Sequence, residues 1–156
     1  MKKLIAAALL IVLLFSSAFA DTEAWIFCKP GSFVNAREFP TKRSADIGRL
    51  EFGDKITVTG KTRNGFAECV DLHLEASPVW IFTGYIVYDE PEPDGRMYMA
   101  SANGRTALRR WVDGPRRAWA KNGDTFRVFA VSAEWALTSK GFIKREFIEP
   151  DGDGEP

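Results

Sequence analysis

Short apolar runs, not long amphipathic stretches, organise this chain. Trp25-Ile26-Phe27-Cys28, Lys55-Ile56-Thr57-Val58, Phe66-Ala67-Glu68-Cys69-Val70 and Trp80-Ile81-Phe82 are brief, rich in aromatic and β-branched residues, and separated by Gly, Pro, Asn and Asp. That combination predicts strands. Met97 to Ala100, Thr125 to Val131, Glu134 to Thr138 and Gly141 to Ile143 give the same signal later, and no sustained 3.6-residue period competes with it. The chain is therefore expected to be all-β. Five or so short strands in about 60 residues are too few for a two-sheet sandwich, and close instead into a small, partly open barrel.

The pattern is stated twice. Val34-Asn35-Ala36-Arg37, Gly53-Asp54-Lys55-Ile56-Thr57-Val58, Trp80-Ile81 and Tyr85-Ile86 return as Thr106-Ala107-Leu108-Arg109, Gly123-Asp124-Thr125-Phe126-Arg127-Val128, Phe142-Ile143 and Phe147-Ile148. A period of roughly sixty to seventy residues predicts two copies of one small domain in tandem. In both, Gly-Asp precedes an alternating strand, where Gly takes positive φ and Asp bonds the turn backbone. Trp80 and Tyr85, like Phe142 and Phe147, stand five residues apart and are expected to fill cores too small for aliphatic side chains alone.

Residues 1–20 carry Lys2-Lys3, an apolar run from Leu4 to Phe15 and Ala18-Phe19-Ala20, the n-region, h-region and cleavage site of a signal peptide. Export is expected, with cleavage before Asp21, no lipid anchor and no integral membrane segment afterwards. Without Lys2 and Lys3 there are 19 basic and 21 acidic residues, which disfavours a nucleic-acid partner. Residues 21–95 carry 8 basic and 13 acidic side chains, residues 96–156 carry 11 and 8, so an anionic partner is expected on the second copy. Domain 1 is expected over 21–90, an acidic, Pro-rich linker over 91–95 as an extended spacer, domain 2 over 96–149, and a disordered acidic tail over 150–156.

These residues resemble the bacterial SH3 (SH3b) family, whose pattern is V-N-V-R, then G-x-L before K-G-D, a central aromatic, and G-W-V followed by Y-L. Val34-Asn35-Ala36-Arg37, Ile47-Gly48-Arg49-Leu50, Phe52-Gly53-Asp54, Phe66, Trp80-Ile81 and Tyr85-Ile86 stand in those places. The second copy keeps Leu108-Arg109, Asn122-Gly123-Asp124, Trp135, Gly141-Phe142-Ile143 and Phe147-Ile148, with Ala107 where the pattern has Asn. The resemblance implies SH3-like barrels and a non-catalytic binding protein for cell-envelope material, either peptidoglycan peptide stems or an associated anionic cell-wall polymer. The alternative partner is another exported protein.

Aligning Trp25 with Met97 sets Cys28 opposite Ala100, and aligning Phe66 with Trp135 sets Cys69 opposite Thr138. Both cysteines are thus present in one copy and absent from the other, as a bonded pair in an exported protein would be. A Cys28–Cys69 disulfide would close a loop of about 40 residues and contribute around 3 to 4 kcal/mol; two buried free thiols are the alternative.

A thiol hydrolase built on Cys69 and His73 is the remote enzymatic alternative, weakened because His73 falls in an inserted loop, 70–78. One His and two Cys are too few ligands for a metal site, and no cofactor is expected. Binding is left, and Arg109-Arg110-Trp111 with Arg116-Arg117-Ala118-Trp119 across the Asp113-Gly114 turn gathers four arginines and two tryptophans in one hairpin. Arg forks suit carboxylate or phosphate and Trp supplies a flat apolar face. Alternation along two strands would equally turn Trp111 and Trp119 into the barrel and leave the arginines in water.

Overall fold

The computed structural model describes residues 21–70, 74, 78–101 and 104–151. The expected signal peptide, His73 with most of the inserted loop, and the last five residues of the tail lie outside them. Among the described residues no helix is long and apolar enough to cross a membrane.

The protein is all-β. The first copy supplies β1 (Thr22–Ile26), β2 (Phe33–Arg37), β3 (Asp46–Glu51), β4 (Lys55–Arg63), β5 (Phe66–Val70), β6 (Val79–Phe82) and β7 (Ile86–Val87), with one 3-10 turn, Thr83–Tyr85, before β7. A short β8 (Glu92–Pro93) leads to β9 (Met97–Ala100), β10 (Arg105–Arg109), β11 (Arg116–Lys121), β12 (Thr125–Val131), β13 (Trp135–Thr138), β14 (Gly141–Lys144) and β15 (Ile148–Pro150), with a matching 3-10 turn, Arg145–Phe147. The strands form two antiparallel sheets, ordered β3-β2-β6-β5-β4-β1-β7 and β11-β10-β14-β13-β12-β9-β15. The two orders are the same permutation, so the repetition seen in the sequence is also a repetition of topology.

The repeated motifs are the repeated joints. Val34-Asn35-Ala36-Arg37 lies within β2 and Thr106-Ala107-Leu108-Arg109 within β10, and in each the final Arg pairs with the aromatic of the penultimate hairpin, Arg37 with Trp80 and Arg109 with Phe142. Gly53 and Gly123 take φ of 83° and 84°. Asp54 and Asp124 accept the backbone N–H of Glu51 and Lys121 at 2.7 and 2.8 Å. Gly53 N–H reaches the Ile26 carbonyl as Gly123 N–H reaches that of Ala100, which makes Ile26 the counterpart of Ala100. The expected pairing of Cys28 with Ala100 is therefore two residues out of step, because the β1–β2 connection is longer than the β9–β10 connection.

Each sheet wraps its own apolar cluster: Ala24, Ile26, Leu50, Ile56 and Ile81 belong to the first, Tyr98, Leu108, Phe126, Val128 and Ile143 to the second. A third cluster belongs to both copies at once. Phe27 and Val87 of the first meet Ala130, Trp135, Leu137 and Phe142 of the second, and the Phe27 and Phe142 rings meet edge to face at 5.7 Å. Apolar area at this joint leaves water in the same way as in a core, so the copies are held together and not merely strung on a linker.

The segment between the copies is correspondingly anchored. Glu92 and Pro93 pair with Val131 and Ala130 of β12, and the Asp94 N–H donates to the Phe129 carbonyl at 2.8 Å. The Asp94 side chain accepts from the Gly95 and Arg96 N–H groups, the Arg96 guanidinium and the Tyr98 hydroxyl. Burial pushes that carboxyl up, but the Arg96 and neighbouring donors outweigh it and hold it well below the usual carboxylate range.

The joint is completed by Trp111, which leaves the β10–β11 connection and seats its indole against Gly84 of the first copy. A Cβ added at Gly84 would lie 2.4 Å from Trp111 Cδ1, and one at Gly114 would lie 2.5 Å from the same atom. The adjacent Val112 N–H donates to the Gly84 carbonyl at 3.2 Å. Gly84→Ala is expected to lower stability by about 1–3 kcal/mol through overpacking. In a Trp111→Ala background the part of that loss due to the indole should vanish, leaving the part due to Phe82 Cε1, 2.7 Å from the same added Cβ. A chemical-denaturation double-mutant cycle reads the coupling, and strictly additive changes would contradict the contact.

Candidate functional site

Phe82 is the centre of an aromatic cluster at the surface between the copies. It closes β6, and its ring takes three edge-to-face contacts: Phe66 at 5.7 Å, Tyr85 at 5.9 Å and Trp111 at 5.1 Å. Phe66 is its register partner on β5, Tyr85 ends the 3-10 turn, and Trp111 comes from the other copy. Interlocked edge-to-face rings hold one another in place, so the surface they make is formed in advance of any ligand.

That surface floors a cleft of about 360 Å³, lined also by Phe33, Val34, Asn35, Arg37 and Lys42. Phe33 is 48% exposed on β2, with the Arg49 guanidinium 4.2 Å from its ring. Arg37 is spoken for: its guanidinium pairs with Asp46 at 2.7 Å and donates to the Ser44 carbonyl at 2.8 Å. Asn35 donates to the same Asp46. Lys42, 5.7 Å from the Phe82 ring centroid, has no ion-pair partner among the described residues, and none of the described residues lining the cleft is a carboxylate. The cleft therefore presents apolar ring faces and edges with one uncommitted ammonium at the mouth.

A second cleft between the copies, about 350 Å³, is lined by Thr83, Ile86, Val87, Tyr88, Val112 and Trp135 with the carboxylates of Asp89, Asp113 and Glu134. Two of those are occupied: Asp89 accepts the Ala133 N–H, and Glu134 pairs with Lys144 at 2.6 Å. The two clefts thus differ in sign as well as in lining.

The second copy has no equivalent of the aromatic hub. By register its counterparts of Phe66, Phe82 and Gly84 are Trp135, Lys144 and Glu146, and Lys144 lies 4.5 Å over the Trp135 ring. Charge replaces the aromatic centre there, so the cleft is a property of the first copy completed by the second.

The hairpin singled out in the sequence is divided by the structure. Arg109 donates to the Gly114 carbonyl at 2.7 Å, holding its own connection as Arg37 holds the Ser44 carbonyl; it is a structural residue and not a free fork. Trp111 packs across the joint against Gly84 of the first copy, where it also lines the aromatic cleft. Arg110, Arg116, Arg117 and Trp119 are exposed, and Trp119 lies 4.4 Å from the Arg116 guanidinium and 5.6 Å from that of Arg105. Of the four aromatics expected in cores, Phe142 is buried, while Trp80, Tyr85 and Phe147 are half-buried, and Tyr85 serves the cleft as well as the core.

The expected Cys28–Cys69 disulfide is not formed: both cysteines are buried free thiols. Cys69 sits between Val58 and Val79, while Val58 also faces Thr22 at the far end of β1, and Cys28 lies beyond the opposite end of that strand, next to the β1–β2 connection. A bridge needs Cα atoms within about 7 Å, which this register does not provide. Each sulfur makes its own weak bond, Cys28 to the Ser32 carbonyl and Cys69 to the Ala67 carbonyl. In the second copy Thr138 takes the place of Cys69 and donates to the Gly141 carbonyl at 2.8 Å.

Burial pushes the Cys69 thiol up to about 12, with the Glu68 charge adding to it, and burial raises Cys28 against the opposing Ser32 contact. Neither is a thiolate near neutral pH, so neither is primed as a nucleophile. Among the described residues no three His, Cys, Asp or Glu side chains gather into a metal site.

Sequence reasoning did not single out Phe33, Lys42 or Phe82. The available signal was a difference between the copies: Phe82-Thr83-Gly84 stands where the second copy has Lys144-Arg145-Glu146, and only one of those triplets leaves room for a tryptophan.

No protein-family profile and no curated protein matches the chain. Among solved structures, NlpC2 from Trichomonas vaginalis is similar at 11% identity and a TM-score of 0.35, over 90% of this chain and 52% of that one. NlpC1 from the same organism is similar at 14% identity and a TM-score of 0.35, over 89% and 50%. This chain spans about half the length of each, and a likeness this loose sets neither fold nor activity.

The thiols give a direct check on the cysteine assignment. Without reductant, a thiol reagent at pH 8 should find almost none in the native protein and two per chain after denaturation. Finding none after denaturation would restore the disulfide.

Proposed function

We propose that this protein is a non-catalytic, exported binding protein of two SH3-like modules, whose aromatic cleft holds carboxylate-bearing cell-envelope material such as the peptide stems of peptidoglycan. One observation carries the reading: a cleft whose floor is three interlocked rings around Phe82, with Lys42 as its uncommitted cation and, among the described residues, no carboxylate in its lining. Aromatic faces and edges take up the apolar portion of an extended chain without demanding one sequence, and an ammonium at the rim selects for a negative terminus or side chain. The bacterial SH3 resemblance and the expected signal peptide point to the envelope as the source of such a chain.

A hydrolytic role has less support. Cys69 is 0% exposed and its thiol is held far from the thiolate form, so the route through Cys69 and His73 lacks an accessible nucleophile.

Retention of the protein, starting at Asp21, on purified peptidoglycan sacculi tests this. The Lys42→Glu, Phe33→Ala double variant changes exposed side chains and should keep its melting temperature while retention falls at least about tenfold, equivalent to about 1.4 kcal/mol. Undiminished retention would remove the cleft from binding. No retention by the native protein would contradict the envelope reading and favour a peptide segment of another exported protein.

A further inference from the structure

The β10–β11 hairpin presents an outer face that neither the cores nor the aromatic cleft uses. Its register sets Arg105 opposite Lys121, Ala107 opposite Trp119 and Arg109 opposite Arg116, with an irregularity beyond Leu108 that leaves Arg117 without a partner. Directly opposed residues of an antiparallel pair lie on the same face. Of the alternate set, Thr106, Leu108 and Ala120 are buried and Ala118, opposite Leu108, is exposed, so the face carrying Arg105, Lys121, Trp119 and Arg116 is the one turned to solvent. All four of these side chains and Arg117 are exposed.

Among the described residues, the charges on this face have no ion-pair partner: the ion pairs engage Arg37, Lys55, Lys61, Arg96 and Lys144, and none of Arg105, Arg116, Arg117 or Lys121 is among them. Of the carboxylates close in sequence, Asp113 is at the hairpin's turn and Asp124 is engaged with the Lys121 N–H. Trp119 organises the row. At 45% exposed, its ring holds the Arg116 and Arg105 guanidiniums at 4.4 and 5.6 Å. Stacking restricts the long side chains while leaving their N–H forks free, which is the state in which Arg binds an anion with least loss of freedom.

We propose that this face is a second, independent binding site, for a linear polymer carrying repeated phosphate groups. Length is one reason. From Arg116 to Lys121 the strand runs about 17 Å at its usual rise, so one small anion meets only part of the row and an extended one meets all of it. Phosphate fits because the charges of a phosphate polymer lie in its backbone and repeat along it, where the row of Arg forks can meet them bidentately in succession. The carboxylates of an acidic polypeptide stand instead at the ends of flexible side chains that must be ordered to reach the row.

Two other polyanionic partners are disfavoured by Trp119 itself. Bases of a single-stranded nucleic acid need open ring faces to stack on, and here guanidiniums lie against the ring. A lipid surface calls for apolar side chains to enter it, and Trp119 is the only exposed large hydrophobic side chain that this hairpin contributes among the described residues.

The test is a calorimetric titration of the protein, starting at Asp21, with long-chain inorganic polyphosphate. Binding should weaken at least about tenfold between roughly 0.05 and 0.3 M salt, as counterion release requires. Arg105→Gln with Arg116→Gln should weaken it at least about tenfold while leaving retention on sacculi and melting temperature unchanged. Arg117→Glu serves as a second variant on the same face. Lys42→Glu with Phe33→Ala should leave polyphosphate binding intact, so failure of the cleft and failure of this face are read separately. Absence of polyphosphate binding, tighter binding of single-stranded DNA of equal charge, equal binding of polyglutamate, or binding to vesicles of anionic phospholipid in place of polyphosphate would each overturn the proposal.

Discussion

The seat of one indole between two glycines holds this molecule in its form. Trp111 fits where Gly84 and Gly114 have no side chains, and in that position it brings the second copy against the first and supplies a wall of the aromatic cleft. The shared apolar cluster around Phe27 and Phe142 gives the joint its hydrophobic area, but area alone is non-directional. It is the slot, with the Val112 to Gly84 backbone bond beside it, that fixes how the copies meet. Were the indole displaced, Phe82 would lose one of its three ring partners and the cleft would open on that side.

Two copies with one topology have been put to different uses. Where the first copy has Phe66, Phe82 and Gly84, the second has Trp135, Lys144 and Glu146, so the surface that forms the cleft in one becomes part of the joint or an ion pair in the other. Conversely, the hairpin that in the first copy mixes Arg37, Lys42, Arg43 and Arg49 with Glu38, Asp46 and Glu51 carries in the second the cationic row of Arg105, Arg116, Arg117 and Lys121. The common framework, a Gly-Asp turn and an Arg holding a connection carbonyl, is kept in both. The divergence lies in side chains that face outward from it.

This division explains what the sequence made legible. Turn chemistry and strand alternation are local, so the repeat, the positive-φ glycines and the all-β class follow from neighbouring residues. The joint follows from contacts between residues far apart in the chain, and no local pattern distinguishes Trp111 seated against Gly84 from Trp111 exposed in a loop. Trp119, the fourth residue of β11, looked the same in sequence and is exposed. The cysteines misled for a related reason. Their joint absence from the second copy reads as pairing, yet the β4 register keeps Cys69 and Cys28 apart along the first sheet, although both belong to the same core cluster. Thr138 shows that the Cys69 position accepts another small polar side chain that bonds a nearby carbonyl.

The central claim, that the copies form one body with the cleft at their seam, is tested most directly by residual dipolar couplings of the backbone amides in weakly aligned solution. A single alignment tensor should fit residues 21–87 and 97–150 together in the relative orientation described. Two tensors of different magnitude or orientation would show the copies moving independently and would contradict the account.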